Sequence, residues 1–175
     1  VPASLIGVGA GWAFSAHLSS VVIGALVGLV GVMFCLNTWF GARLRQAARQ
    51  ADVPRGLFWG ILTGLTSFVS HSGAPPFQMY VLPQRLEKMV FAGTSTILFA
   101  IANAAKVIPY WELHQFSHFD TRLVVSLAPA AIIGTVAGRK LTQMLPDGLL
   151  FRLIQITLLL LSLKLIGDYA LTLFA

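Results

Sequence analysis

Two uncharged tracts constrain this chain more than any other feature. No Asp, Glu, Lys or Arg occurs from Val1 to Ala42, nor again from Gly56 to Gln84. A soluble domain of 175 residues must cover its outside with polar groups, and such tracts leave too little chain to do it. The composition agrees: 57% of residues are apolar and 10% charged, against roughly 45–50% and about 25% in soluble domains. Mean hydropathy is +0.81. The sequence therefore reads as an all-α, polytopic helical membrane protein, with the lipid bilayer as its surroundings.

Stretches of about 20 mostly apolar residues, enough to cross a bilayer, fall near 1–15, 21–41, 57–84, 90–109, 122–139 and 149–173. The third is too long for one simple span and contains His71-Ser72-Gly73-Ala74-Pro75-Pro76. Successive prolines remove backbone donors and push the preceding residue out of the helical region, so a continuous helix is not expected there. Non-helical backbone at membrane depth is tolerated where it is buried in protein or lines a watery cavity. The break is therefore expected to be a re-entrant loop or a discontinuous helix.

A net charge of +6 would raise the question of nucleic acid in a soluble protein. Here the basic residues lie between apolar stretches, where they orient the chain in the membrane, and no nucleic-acid partner is expected. In the linker 42–56, Arg43, Arg45, Arg49 and Arg55 stand against Asp52, a net +3 that assigns it to the cytoplasmic side. The single cysteine, Cys35, lies inside an apolar stretch and reads as a small core residue.

An internal repeat emerges at an offset of 127 positions. Pro2-Ala3-Ser4-Leu5-Ile6-Gly7-Val8-Gly9-Ala10-Gly11 aligns without a gap on Pro129-Ala130-Ala131-Ile132-Ile133-Gly134-Thr135-Val136-Ala137-Gly138, identical at six of ten positions. Both copies carry a small-xxx-small pair, Gly7/Gly11 and Gly134/Gly138, of the kind that lets helices approach closely in lipid. On this reading residues 1–41 are the second half of one repeat and 57–175 are a whole one, with about 70 residues of the first expected upstream. The later copy carries Arg139, Lys140 and Arg152 where the earlier has Trp12, Ala13 and Ala25, a difference expected of repeats with inverted orientation.

Several side chains are candidates for chemistry. Thr63, Thr66, Ser67, Ser70, His71 and Ser72 gather hydroxyls and an imidazole where a helix ends, and the Gly73-Ala74 backbone offers N–H groups that suit an anion. Gly93-Thr94-Ser95-Thr96 is a second cluster of this kind. The bland alternative is hydroxyls bonded back to their own helix and glycines used for packing along Gly56, Gly60 and Gly64. Lys106 is the one cation well within a stretch, with Asn103 one turn away. An intramembrane charge is a functional-site hypothesis by default, here a counter-charge for an anion, although a lysine that snorkels to the interface competes with it. Lys164 and Asp168 are four apart and read as a structural pair. His114 and His118 have the spacing of a metal pair but lack a further ligand set, so no metal is expected. Tyr110 and Trp111 fit an interfacial aromatic belt. There is no nucleophile–base pattern, phosphate-binding loop or cofactor signature, and neither an enzyme nor a cofactor is expected.

Taken together, Gly60-x3-Gly64-x5-Ser70-His71-Ser72-Gly73-Ala74-Pro75-Pro76, then Tyr80, Phe91-Ala92-Gly93-Thr94, Asn103-x2-Lys106 and Pro129-Ala130-x3-Gly134-x3-Gly138 resemble the second repeat of the sulfite exporter TauE/SafE family of bacterial permeases. The resemblance covers 57–175, with 1–40 as the tail of a first repeat. It implies a multi-pass protein of the bacterial inner membrane, a secondary transporter of small anions such as sulfite, sulfonates or related organosulfur acids. Members often show consecutive glycines where this chain has His71-Ser72-Gly73-Ala74, a departure that bears on the substrate. Ser70, His71, Ser72, Gly73, Thr94, Ser95, Asn103 and Lys106 are the expected substrate-binding residues, in a site between the two halves that works by alternating access. A passive channel and a non-transporting scaffold or sensor subunit remain as alternatives, and self-association is left open.

Overall fold

A computed structural model describes residues 1–15, 19–40, 48–116 and 120–174. All elements in them are helical: α1 (Pro2–Ala13), α2 (Ser20–Phe40), α3 (Val53–Val69), α4 (Ala74–Val81) with a 3-10 turn at Leu82–Gln84, α5 (Lys88–Glu112), α6 (Thr121–Met144) and α7 (Asp147–Phe174). Four of these, α2, α5, α6 and α7, are long and apolar enough to cross a membrane. The 12 residues of α1 extend only about 18 Å, short of the roughly 30 Å hydrocarbon thickness.

Helix α3 begins at Val53, ahead of the apolar stretch itself, because Asp52 caps it. The Asp52 carboxylate accepts from Arg55 N at 2.8 Å and pairs with the Arg55 guanidinium, while Pro54 occupies the first turn, where its missing N–H costs nothing. The bond from the Arg55 backbone, helped by that guanidinium, holds the Asp52 carboxyl below its usual range. A carboxyl lowered on folding stabilises the folded form above its ordinary value, and the contribution is lost as pH falls through the lowered one. Asp52→Ala is therefore expected to lower the melting temperature modestly at pH 7, with the gap from the parent closing below about pH 4 in a detergent-solubilised melt.

Two seams organise the bundle. Along the first, α1 runs parallel to α3 with their backbones in contact: a Cβ added at Gly64 would fall on the Ser4 carbonyl, one at Gly7 on the Ile61 carbonyl, and one at Gly60 would lie 2.7 Å from Ala3 Cβ. Along the second, α2 runs antiparallel to α7. Gly28 lies against Ser162 and Leu165, Cys35 Sγ reaches Gln155 O at 3.6 Å, and Trp39 Nε1 donates to Gln155 Oε1 at 2.9 Å. Lipid tails are as apolar as leucine, so helix association in a bilayer depends on such close packing rather than on a hydrophobic drive. A smaller aromatic core joins α4, α5 and α7: Phe77 sits 6.0 Å from Phe91 and 5.6 Å from Phe99, and Phe91 5.7 Å from Phe151, centroid to centroid. By contrast α6 is exposed along nearly its whole length, and Gly134 and Gly138 face open space.

Polar ties fix which helix ends lie together. The Tyr80 hydroxyl donates to Asp52 O at 3.0 Å and Arg49 N to Pro83 O at 2.9 Å, so α4 doubles back beside α3 and its end returns to where α3 starts. Lys88 Nζ donates to Leu145 O at 2.8 Å and pairs with Asp147 at 3.3 Å, bringing the start of α5 to the α6–α7 turn. With the Trp39–Gln155 bond, one end of the bundle gathers Arg49, Arg55, Arg85, Lys88, Arg139, Lys140 and Arg152 against Asp52, Glu87 and Asp147. Among the described residues that end is +4, seven basic against three acidic. The other end, with Arg122 and Lys164 against Glu112, Asp120 and Asp168, is −1. Arg43 and Arg45 of the basic linker lie outside the described residues.

Candidate functional site

The end of α3 is where polar chemistry collects. A helix leaves its last four carbonyls without intrahelical partners, and at α3 these belong to Thr66, Ser67, Phe68 and Val69. Thr66 O accepts from Ser70 N at 3.0 Å, Ser72 N at 3.2 Å and Ser70 Oγ at 3.1 Å. Ser67 O accepts from Lys106 Nζ at 2.8 Å, and Phe68 O from the Tyr110 hydroxyl at 2.8 Å. Two side chains one turn apart on α5 therefore close off α3.

Lys106 is the centre of this arrangement. It is 4% exposed, so it does not snorkel. Its ammonium has three protons and three acceptors: Ser67 O, Ser67 Oγ at 2.6 Å and Asn103 Oδ1 at 3.0 Å. Among the described residues no carboxylate pairs with it; the negative end of the α3 dipole faces it instead. A partial charge leaves most of a buried cation uncompensated, and that is the electrostatic condition under which an anion is attracted. Asn103 is exposed, so of the three acceptors its amide is the one able to turn away.

The backbone between α3 and α4 turns on His71, at φ 53°, rather than on Gly73, at φ −74°. Histidine is among the side chains that tolerate the left-handed region. His71 is exposed, and its ring lies 6.0 Å from that of Tyr110. Gly73 has a different reason to be glycine: a Cβ there would lie 2.7 Å from Ser67 Cβ, 2.9 Å from Thr63 O and 3.1 Å from Phe99. Gly73→Ala is expected to destabilise the fold by about 1–3 kcal/mol through overpacking, read as a lower melting temperature in detergent, whereas Gly93→Ala, which meets open space inside α5, does not lower it.

The expected residues divide into two sets. Ser70, His71, Ser72, Gly73, Asn103 and Lys106 converge on the end of α3. Thr94 is exposed, and Ser95 donates to Ala92 O of its own helix at 2.9 Å; among the described residues neither bonds to the break. The hydroxyls themselves are largely spoken for: Thr63 bonds Trp59 O, Thr66 bonds Leu62 O and Ser72 bonds Ser70 O. Of the first-turn N–H donors of α4, Pro75 and Pro76 supply none, which leaves Gly73 and Ala74. Tyr110, read from the sequence as an interfacial aromatic, turns its hydroxyl to Phe68, and Ser67 supplies two of the three lysine acceptors. Ser67 is among the hydroxyls the sequence gathers at this helix end, and the signal for Tyr110 is its i, i+4 spacing from Lys106.

Lys164 and Asp168 pair at 2.6 Å. His114 is exposed, and His118 lies outside the described residues. Among the described residues no three His, Cys, Asp or Glu are grouped as metal ligands would be.

The family model described as sulfite exporter TauE/SafE matches residues 1–165. No curated protein and no solved structure matches the chain.

Proposed function

The chain belongs to the sulfite exporter TauE/SafE family, a family of membrane permeases rather than enzymes, and from that premise we propose that it is a secondary transporter of a small anion. Sulfite, a sulfonate or a related organosulfur acid is the cargo, moved by alternating access at a site between two inverted repeats. The observation that carries this reading is Lys106, a buried ammonium facing a helix terminus and, among the described residues, with no carboxylate partner. The anion displaces the Asn103 oxygen from the ammonium. The amide then turns its NH2 group to the anion, and Ser70, His71, Ser72 and the Gly73 N–H complete the shell. Thr94 and Ser95 join it in a conformation that brings α5 across the break.

The doubling back of α4 onto α3, held by the Tyr80–Asp52 and Arg49–Pro83 bonds, supports a re-entrant hairpin around Ser70–Gly73. The basic end of the bundle then faces the cytoplasm of a bacterial cell, with the protein in the inner membrane. The second half of one repeat at 1–41 and a whole repeat at 57–175, joined by a cytoplasmic linker, fit this arrangement. The test is flux in proteoliposomes of the full-length protein: sulfite movement that saturates and follows an imposed gradient supports the transporter. Unsaturable flux argues for a channel, and binding without flux for a scaffold.

A further inference from the structure

The cavities of the basic end include one distinct from the Lys106 cluster. A groove of about 540 Å³ lies between α2, the start of α3 and the end of α4. Its lining is graded. Arg49, Arg55, Met79 and Tyr80 stand at the end where α3 begins and α4 finishes, while Val30, Met33 and Phe34 of α2 continue it toward the bilayer interior. Val30 is ten residues before the end of α2, about 15 Å along the helix, so the groove reaches from the membrane surface well into the hydrocarbon. Val30 and Met33 are 41% and 63% exposed, which leaves the apolar half open sideways to lipid.

The charged half is built and only partly neutralised. Arg55 is held by Asp52 and by Gln50 O. Arg49 is exposed, and among the described residues its guanidinium makes no hydrogen bond, although its charge reaches Asp52. Its backbone is pinned to Pro83, which keeps the residue at the mouth. Gly56 gives the Tyr80 hydroxyl room to reach Asp52 O, since a Cβ there would stand 2.9 Å from it.

We propose that this groove is a binding site for an anionic phospholipid, the phosphate on Arg49 at the mouth and an acyl chain along Val30, Met33 and Phe34. A headgroup charge alone would need only the mouth; the apolar length below it matches a lipid and has no use for a free anion. Basic pockets between helices on one side of a membrane bind acidic headgroups on the same physical grounds. The site is separate from the transport reading, and it stands or falls without a flux measurement.

Native mass spectrometry of the purified full chain tests it, with phosphatidylglycerol, phosphatidylcholine of the same acyl chains, and inorganic phosphate as probes. The expected result is retention of one phosphatidylglycerol in preference to phosphatidylcholine, weakened about fivefold in Arg49→Gln and restored toward the parent in Arg49→Lys. Arg49 is exposed, so these variants keep the fold. Met33→Trp, which crowds the apolar half, is expected to lower phosphatidylglycerol retention too. Equal retention of the two lipids overturns the proposal, as does retention unchanged in Arg49→Gln. Inorganic phosphate that displaces phosphatidylglycerol, with no effect of Met33→Trp, assigns the groove to a free anion instead.

Discussion

Lys106→Met is expected to abolish anion flux in proteoliposomes, and the loss should fall on kcat or on binding of the anion rather than on the amount of folded protein. Methionine keeps the length and apolar stem of the lysine and removes the charge. In exchange it leaves Ser67 O, inside the bundle, without its donor, a cost on the order of 1–3 kcal/mol. Part of any defect is therefore stability, and a second variant separates the two effects. Tyr110→Phe removes the equivalent bond to Phe68 O without touching a charge, and is expected to lower the melting temperature while retaining flux. If Lys106→Met and Tyr110→Phe lose flux in proportion to their loss of stability, Lys106 is a helix cap and nothing more. If flux persists in Lys106→Met, it leaves the substrate site altogether.

The second large effect is expected at Gly64. Its neighbours are backbone atoms of Ser4 and Val8, which cannot swing aside as the tip of a side chain can. Gly64→Val therefore forces α1 off α3 rather than merely crowding it, and overpacking of this kind costs about 3 kcal/mol or more. The expected outcome is loss of the folded, monodisperse species from detergent extracts. Gly9→Val, on the same helix α1 but facing open space away from the seam, serves as the control and should extract normally. Equal yields of the two would show that the α1–α3 seam does not hold the bundle together.

How far these features were legible beforehand depends on their range along the chain. Membrane character followed from two charge-free tracts, and Pro75-Pro76 gave reason to expect a break in the third apolar stretch, because both are local. Lys106 stood out as a charge in apolar surroundings. What it bonds was not legible: Ser67 lies 39 residues away and Phe68 lies 42 from Tyr110, and such pairings depend on how α3 and α5 cross. The direction of a hydroxyl is equally hidden. Thr63, Thr66 and Ser72 could serve a ligand or their own backbone by composition, and in the fold they serve the backbone. The start of α3 was missed because Asp52 reads as linker charge until its cap bond to Arg55 is seen.

The α2–α7 seam has a consequence for biosynthesis. Cys35 and Gln155, which meet across it, are 120 residues apart. At about 5–20 residues per second, α2 leaves the ribosome roughly 6–24 s before its partner exists. During that interval the glycine face at Gly24, Gly28 and Gly31 is bare in the bilayer, available to whatever passing helix fits it. Any helix that pairs with that face in the meantime must give it up when α7 arrives. Arrested nascent chains ending before and after residue 155, cross-linked from Cys35, would reveal the handover.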